Sequence, residues 1–243
     1  MKFKIIHIIF ILALIGCKKS HQRKCIKSNG PISEREIQLF ETFDRISLYD
    51  DLNLILIADS LNYLTVQGPR NLIGLVEIDS SSNELMFSNL NKCNFIRKRK
   101  DIDIHYHYST LKEIDIHGHG YVRNSDEIKH DVTIFCNNAF STVNLTLNNS
   151  NTFVYKSQGS TEIILRGTCS SLYCYNSGLA PIKAKHLETQ KTHVNSNTIS
   201  FFEVNVLDSL IVELYNSGNV YYLGNPIYTN FTINGDGQII NIQ

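Results

Sequence analysis

Two short segments hold most of the side chains able to do chemistry. Between Asp101 and Tyr108, the residues Asp103, His105 and His107 alternate with apolar ones; Glu113, Asp115, His117 and His119 do the same a few positions later. Period-two alternation puts each set on one face of an extended strand. Carboxylates and imidazoles in such rows are the donors of a divalent-metal surface, provided that the two strands are neighbours. Alternation by itself also produces an exposed polar strand face, and that is the expectation here. A His-x-His pair aims two rings the same way but fixes no further ligand. No metal site and no cofactor is therefore assigned.

The remaining candidates concern binding. The basic run Arg97-Lys98-Arg99-Lys100 could meet an acidic glycan or a phosphate, but reads as a solvated turn between strands. Tyr173, Tyr175, Tyr221 and Tyr222 could stack on sugar rings, although strand alternation should turn about half of such tyrosines inward. The sequence contains no Gly-x-Ser-x-Gly, His-Glu-x-x-His, phosphate-loop or Cys-x-x-Cys pattern. From Val132 onward the acids are Glu162, Glu188, Glu203, Asp208, Glu213 and Asp236, and they fall at different positions of the repeat described below. Nothing pairs an acid with a base as polysaccharide cleavage requires. No catalytic residue is assigned, and a binding or structural role is expected rather than an enzyme. Lys plus Arg and Asp plus Glu balance at 23 each, which gives no general attraction to nucleic acid.

The elements that must carry these residues are short strands. Ile46–Leu48, Leu54–Ile57, Tyr63–Val66, Val76–Ile78, Leu85–Phe87 and Ile102–Tyr108 follow one another with little helical periodicity. In the second half small turn residues recur at Gly120, Ala139, Gly159, Gly178, Asn197, Gly218 and Gly237, separated by 19, 20, 19, 19, 21 and 19 residues. A period near twenty matches one coil of an all-β solenoid and is too short for a helical-pair repeat. Coils of about 19–21 residues would stack equivalent side chains above one another, about 4.8 Å apart. Four residues after each turn residue stand Val143, Ile163, Ile182, Phe201 and Tyr222, which are predicted to point inward. The adjacent Asn144, Ile164, Lys183, Phe202 and Leu223 should point outward.

The N-terminus reads as an address. Lys2 and Lys4 precede an apolar run, Ile5–Ile15, and Leu14-Ile15-Gly16-Cys17 resembles a lipobox, in which the cysteine is lipidated and becomes the new N-terminus. Residues 1–16 are then a signal peptide. Residues 17–34 are lipidated Cys17 and a basic, flexible tether, and 35–243 are the solenoid. The expected partners are the membrane, through lipid on Cys17, and a surface glycan or protein. The expected location is the cell envelope, at the outer membrane, facing either the periplasm or the surface. Of the other cysteines, Cys169 and Cys174 could bridge locally, but buried free thiols are the expectation.

Three stretches resemble the auto-transporter adhesins with a head GIN domain, over about Phe43 to Gln243. They are Tyr63-Leu64-Thr65-Val66 with Asn71-Leu72-Ile73; Leu85-Met86-Phe87 through Asn91-Lys92-Cys93-Asn94-Phe95-Ile96-Arg97; and Asn216-Ser217-Gly218-Asn219-Val220-Tyr221-Tyr222-Leu223-Gly224-Asn225-Pro226 with Asn234-Gly235-Asp236-Gly237. Ala139 and Asn197 stand where the family tends to have glycine, which leaves the turn geometry at those two corners open. The resemblance implies a right-handed parallel β-helix, exported and often lipid-anchored, with no established reaction.

Overall fold

A computed structural model describes residues 28–91 and 100–243. Cys17, Cys25, Cys93 and residues 97–99 of the basic run lie outside them. The first strands are β1 (Ile32–Gln38), β2 (Arg45–Leu48), β3 (Asn53–Ala58) and β4 (Tyr63–Pro69), followed by one helical turn, α1 (Arg70–Ile73), and by β5 (Val76–Ser81) and β6 (Glu84–Asn89). From residue 100 on come β7 (Asp103–Tyr108), β8 (Glu113–Ile116), β9 (Tyr121–Asn124) and β10 (Val132–Asn137). Four long strands follow: β11 (Thr142–Ser157), β12 (Glu162–Asn176), β13 (Ile182–Ser196) and β14 (Phe202–Leu214). The chain closes with β15 (Val220–Leu223), β16 (Tyr228–Ile233) and β17 (Ile239–Asn241).

These strands form the expected all-β solenoid, a parallel β-helix with two stacks. The first stack runs β6–β2–β8–β10 and continues through the second halves of β11 to β14 into β16. The second runs β4–β7–β3–β9 and continues through the first halves of β11 to β14 into β15 and β17. Each long strand thus serves both stacks. Antiparallel pairing of β1 with β4, β4 with β7 and β5 with β6 closes the N-terminal end.

Stacking order departs from chain order. The coil of β2 and β3 comes first in sequence, yet it lies between the coil of β6 and β7 and the coil of β8 and β9. After β3 the chain moves outward through β4, β5 and β6, returns as β7, and then passes the first coil to reach β8.

The interior is built from columns of one residue per coil. In the first stack Leu85, Ile46, Ile114, Ile134, Val154, Cys174, Val194 and Val212 lie in register. In the second stack the column is Ile104, Leu54, Val122, Val143, Ile163, Ile182, Phe202 and Val220. Every one of these side chains is buried. At roughly 1.5–3 kcal/mol for each fully buried aliphatic side chain, such columns dominate the stability of the solenoid.

This second column corrects part of the sequence reading. Val143, Ile163 and Ile182 point inward as expected, and Asn144, Ile164 and Lys183 stand half-buried outside. Phe202, not Phe201, fills the next position, and Val220 the one after; Tyr222 lies two residues further along, paired with Val204 in the next inward column. The corners vary in length, so a fixed offset from the turn residue slips by one and then by two. At Gly159 the backbone is left-handed (φ +67°) and an added Cβ would lie 2.2 Å from the carbonyl oxygen of Ala139. Gly218 sits in ordinary backbone, but a Cβ there would come within 1.9 Å of the Ser200 oxygen. Close stacking of corners selects glycine there, more than positive φ does.

Candidate functional site

The two His-bearing rows do not converge. β7 pairs with β3 and β4 in the second stack, whereas β8 pairs with β2 and β10 in the first. Each row is satisfied locally instead. Asp103 accepts from Asn53 Nδ2 at 2.7 Å. The His107 ring stacks on Tyr63 at 3.9 Å, with Nδ1 3.0 Å from Asp59 Oδ2. That contact holds the Asp59 carboxyl below its usual range. His117 lies 3.0 Å from Asp115 Oδ2 and stacks on Tyr49, Glu113 accepts from Arg45 Nε at 2.7 Å, and the His119 ring stacks on Phe140. Among the described residues no group of three or more His, Cys, Asp or Glu could hold a metal ion.

The four tyrosines divide. Tyr173 and Tyr175 point outward on the first stack, where two columns of rings stand side by side. One is Phe135–Tyr155–Tyr175 and the other Phe153–Tyr173–His193. Phe135 and Tyr155 stack with centroids 5.3 Å apart and planes 14° apart; Tyr155 to Tyr173 is 5.5 Å and Tyr173 to His193 5.1 Å. Phe153 is 39% exposed and Tyr155 36%, and the other rings are half-buried, so the outer side of this stack is aromatic. Burial against neighbours raises the Tyr173 phenol. At the edge of the patch Glu213 accepts from Tyr215 Oη at 2.9 Å, lies 2.9 Å from His193 Nε2, and is held below its usual range by both. Tyr221 also faces out, in edge contact with Phe201, whereas Tyr222 packs against the core.

Only Phe135 and Tyr155 lie face to face; Tyr155 and Tyr173 are inclined at 45°, and Tyr173 meets His193 edge-on at 87°.

Cys169 and Cys174 are both free and buried on β12. Burial pushes the Cys174 thiol far above its ordinary range and raises that of Cys169 as well. Lys100 of the basic run is exposed.

Two features escaped sequence reasoning. One is Lys156, fully buried inside the first stack between Cys136 and Asn176. The other is a cavity of about 550 Å³ beside the corners of the second stack, lined by Asp103, Asn53, Tyr121, Arg123, Phe140 and Glu162 among others. Asn53 is a clamp rather than a free group, since its Oδ1 also accepts from the Tyr121 amide at 2.9 Å. Glu162 is paired with Lys183 at 2.5 Å.

With this architecture in place, the model of the family described as putative auto-transporter adhesin, head GIN domain, matches residues 42–226. The chain belongs to that family. Solved relatives of this GIN-domain protein share the fold at low identity. A putative adhesin from Bacteroides fragilis has a TM-score of 0.77 at 20% identity, covering 87% of this chain and 97% of its own. A putative lipid binding protein from Parabacteroides distasonis has a TM-score of 0.63 at 22% identity, covering 90% and 99%. A putative adhesin from Parabacteroides merdae gives 0.62 at 14% identity, also covering 90% and 99%. No curated protein sequence matches the chain.

Proposed function

We propose that this GIN-domain protein is a non-catalytic adhesin of the cell envelope, tethered by lipid on Cys17, that binds a ligand on an opposing surface through its aromatic sheet face. The observation that carries the reading is the outward double column of Phe135, Tyr155, Tyr175, Phe153, Tyr173 and His193, with Phe153 and Tyr155 exposed and the rest half-buried. Aromatic rings at low conformational cost are the usual anchors of binding faces. Membership of an adhesin family supports the same reading.

The two acids at the ends of the cavity wall, Asp103 and Glu162, do not make a catalytic pair. In the second stack Asp103 and Glu162 belong to one outward column, but four coils separate them. At about 4.8 Å per coil that is roughly 19 Å, against about 5–9.5 Å for a glycosidase pair.

The test is adhesion of whole cells to immobilised host matrix, with wild type compared to the double variant Tyr155→Ser, Tyr173→Ser. Loss of adhesion with unchanged folding and surface display supports the proposal. Unchanged adhesion, or a domain that protease cannot reach on intact cells, overturns it and leaves the solenoid as an envelope spacer.

A further inference from the structure

One corner column of the second stack has a gap in it. The amide of Phe140 donates to the carbonyl of Gly118, that of Ser160 to Ala139, and that of Leu179 to Gly159. The same one-residue offset at each step places His119, Phe140, Ser160 and Leu179 above one another on successive coils. His119 and Phe140 stack with centroids 5.4 Å apart and planes 10° apart, while Phe140 remains 51% exposed and Leu179 65%. Between these two large apolar groups the column holds only the small side chain of Ser160. Phe140 and Ser160 line the end of the 550 Å³ cavity, and Leu179 stands one coil beyond its wall.

The lining of the gap selects its occupant. Phe140 and Leu179 are two coils apart, roughly 9.5 Å. Two van der Waals contacts of about 3.5–4.0 Å take up roughly 7–8 Å, so the slot admits a single ring. Groups that hydrogen-bond hydroxyls line the cavity: Thr142 and the Glu162 carboxylate on the coils of Phe140 and Ser160, and Tyr121 and the exposed Arg123 guanidinium on the coil of His119. Asp101, Asp103 and Glu162 outnumber Arg123 on the cavity wall and oppose an anionic ligand.

We propose that this slot is a carbohydrate site that takes one neutral pyranose ring between Phe140 and Leu179, with the rest of the saccharide along the cavity. It lies on the second stack, apart from the aromatic face assigned to adhesion, and neither site depends on the other.

Saturation-transfer NMR with maltose, cellobiose, lactose and N,N′-diacetylchitobiose tests it, with glucuronic acid and benzyl alcohol as comparison ligands. At least one neutral disaccharide should receive magnetisation from the protein, and more strongly than either comparison ligand. Ser160→Phe should complete the column, keep the fold and weaken that signal by about tenfold or more, the scale of one lost ring contact of about 1.4 kcal/mol. Phe140→Ser should abolish it. The double variant Tyr155→Ser, Tyr173→Ser should bind the sugar as wild type does, which separates this site from the adhesive face. No transfer to any of the four disaccharides, preference for benzyl alcohol or glucuronic acid, or undiminished binding by a folded Ser160→Phe protein overturns the proposal.

Discussion

The ammonium of Lys156 lies inside the solenoid and donates to the carbonyl of Ala180, the same oxygen that accepts from Asn176 Nδ2 at 3.1 Å. Its column neighbours are Cys136 and Asn176, both fully buried, so no carboxylate in its column neutralises it. Desolvation lowers its pKa from 10.5 to about 8. At neutral pH the group is still largely charged, and the fold bears the cost of burying it.

Lys156→Met should therefore leave the protein folded and, at pH 7, stabilise it by about 1–3 kcal/mol in denaturant titrations, since the Ala180 oxygen keeps its bond from Asn176. The pH dependence follows from the sign of the shift. Below pH 8 both the folded and the unfolded chain carry the proton, and the penalty is complete. Between about pH 8 and 10.5 only the unfolded chain does, so this lysine's contribution makes stability rise with pH, by about 3 kcal/mol in all. Cys136, pushed up from 9.0 to about 12, and Cys174 act in the opposite sense above pH 9, because there the folded state retains protons that the unfolded state loses. The test is thus the difference between variant and wild type: the advantage of Lys156→Met should shrink across pH 8–10.5. A constant difference would contradict the assignment.

Ile182 and Lys183 test the register. Ile182 is fully buried between Ile163 and Phe202, and its replacement by Asp puts an unpaired charge in the core. The expected loss is about 3–5 kcal/mol. Lys183→Asp, one residue along and half-exposed, breaks the pair with Glu162 and sets a carboxylate in register with Glu203. Solvent screening should hold that loss to about 1 kcal/mol or less. Urea midpoints of the two variants measure the contrast, and equal midpoints would refute the inward–outward assignment.

The repeat was legible because the coil period and the alternation of residues are local properties. Val143, Ile163 and Ile182 could be read from spacing alone. Phe201 is not the inward residue of its coil, and Tyr222, which packs against the core as expected, falls in the next inward column, because corner lengths vary and the long strands carry register shifts. The coil order was not legible, since β2 and β3 are inserted between coils that come later in the chain. The His107 and His117 rows stay apart for a different reason: β7 and β8, successive in the chain, serve different stacks. Lys156 left no signal, because a lysine in an alternating strand reads as solvent-facing. Ser160 did leave one, a small residue directly after a turn position that is followed by Phe140 and Leu179 in neighbouring repeats. Its meaning needs the geometry of the column.

Anchoring rests on residues outside the described part of the structure. Lys2 and Lys4, the apolar run Ile5–Ile15 and Gly16 before Cys17 carry the reading. One acyl chain gives only marginal membrane attachment, so stable anchoring requires several. Cys17→Ser should either move the protein from the detergent phase to the aqueous phase or leave the signal uncleaved, as electrophoresis and intact mass would show. A processed variant that still partitions into detergent would exclude lipid on Cys17.

Two glycines should respond in opposite directions to the same substitution. Gly159 combines left-handed backbone with a corner packed so closely that a Cβ would lie 2.2 Å from the Ala139 oxygen. Backbone cannot yield there without separating the coils, so Gly159→Ala should cost about 2 kcal/mol or more. Gly74, just after α1, has φ −72° and ψ −5°, and nothing lies within 4 Å of the position its Cβ would take. Alanine adopts that conformation without strain and narrows the unfolded ensemble, so Gly74→Ala should stabilise by about 0.4–1 kcal/mol. Thermal melts of the two variants against wild type should therefore shift down and up respectively. If Gly159→Ala melted no lower than wild type, the tight corner stacking on which the solenoid is built would be wrong at that coil.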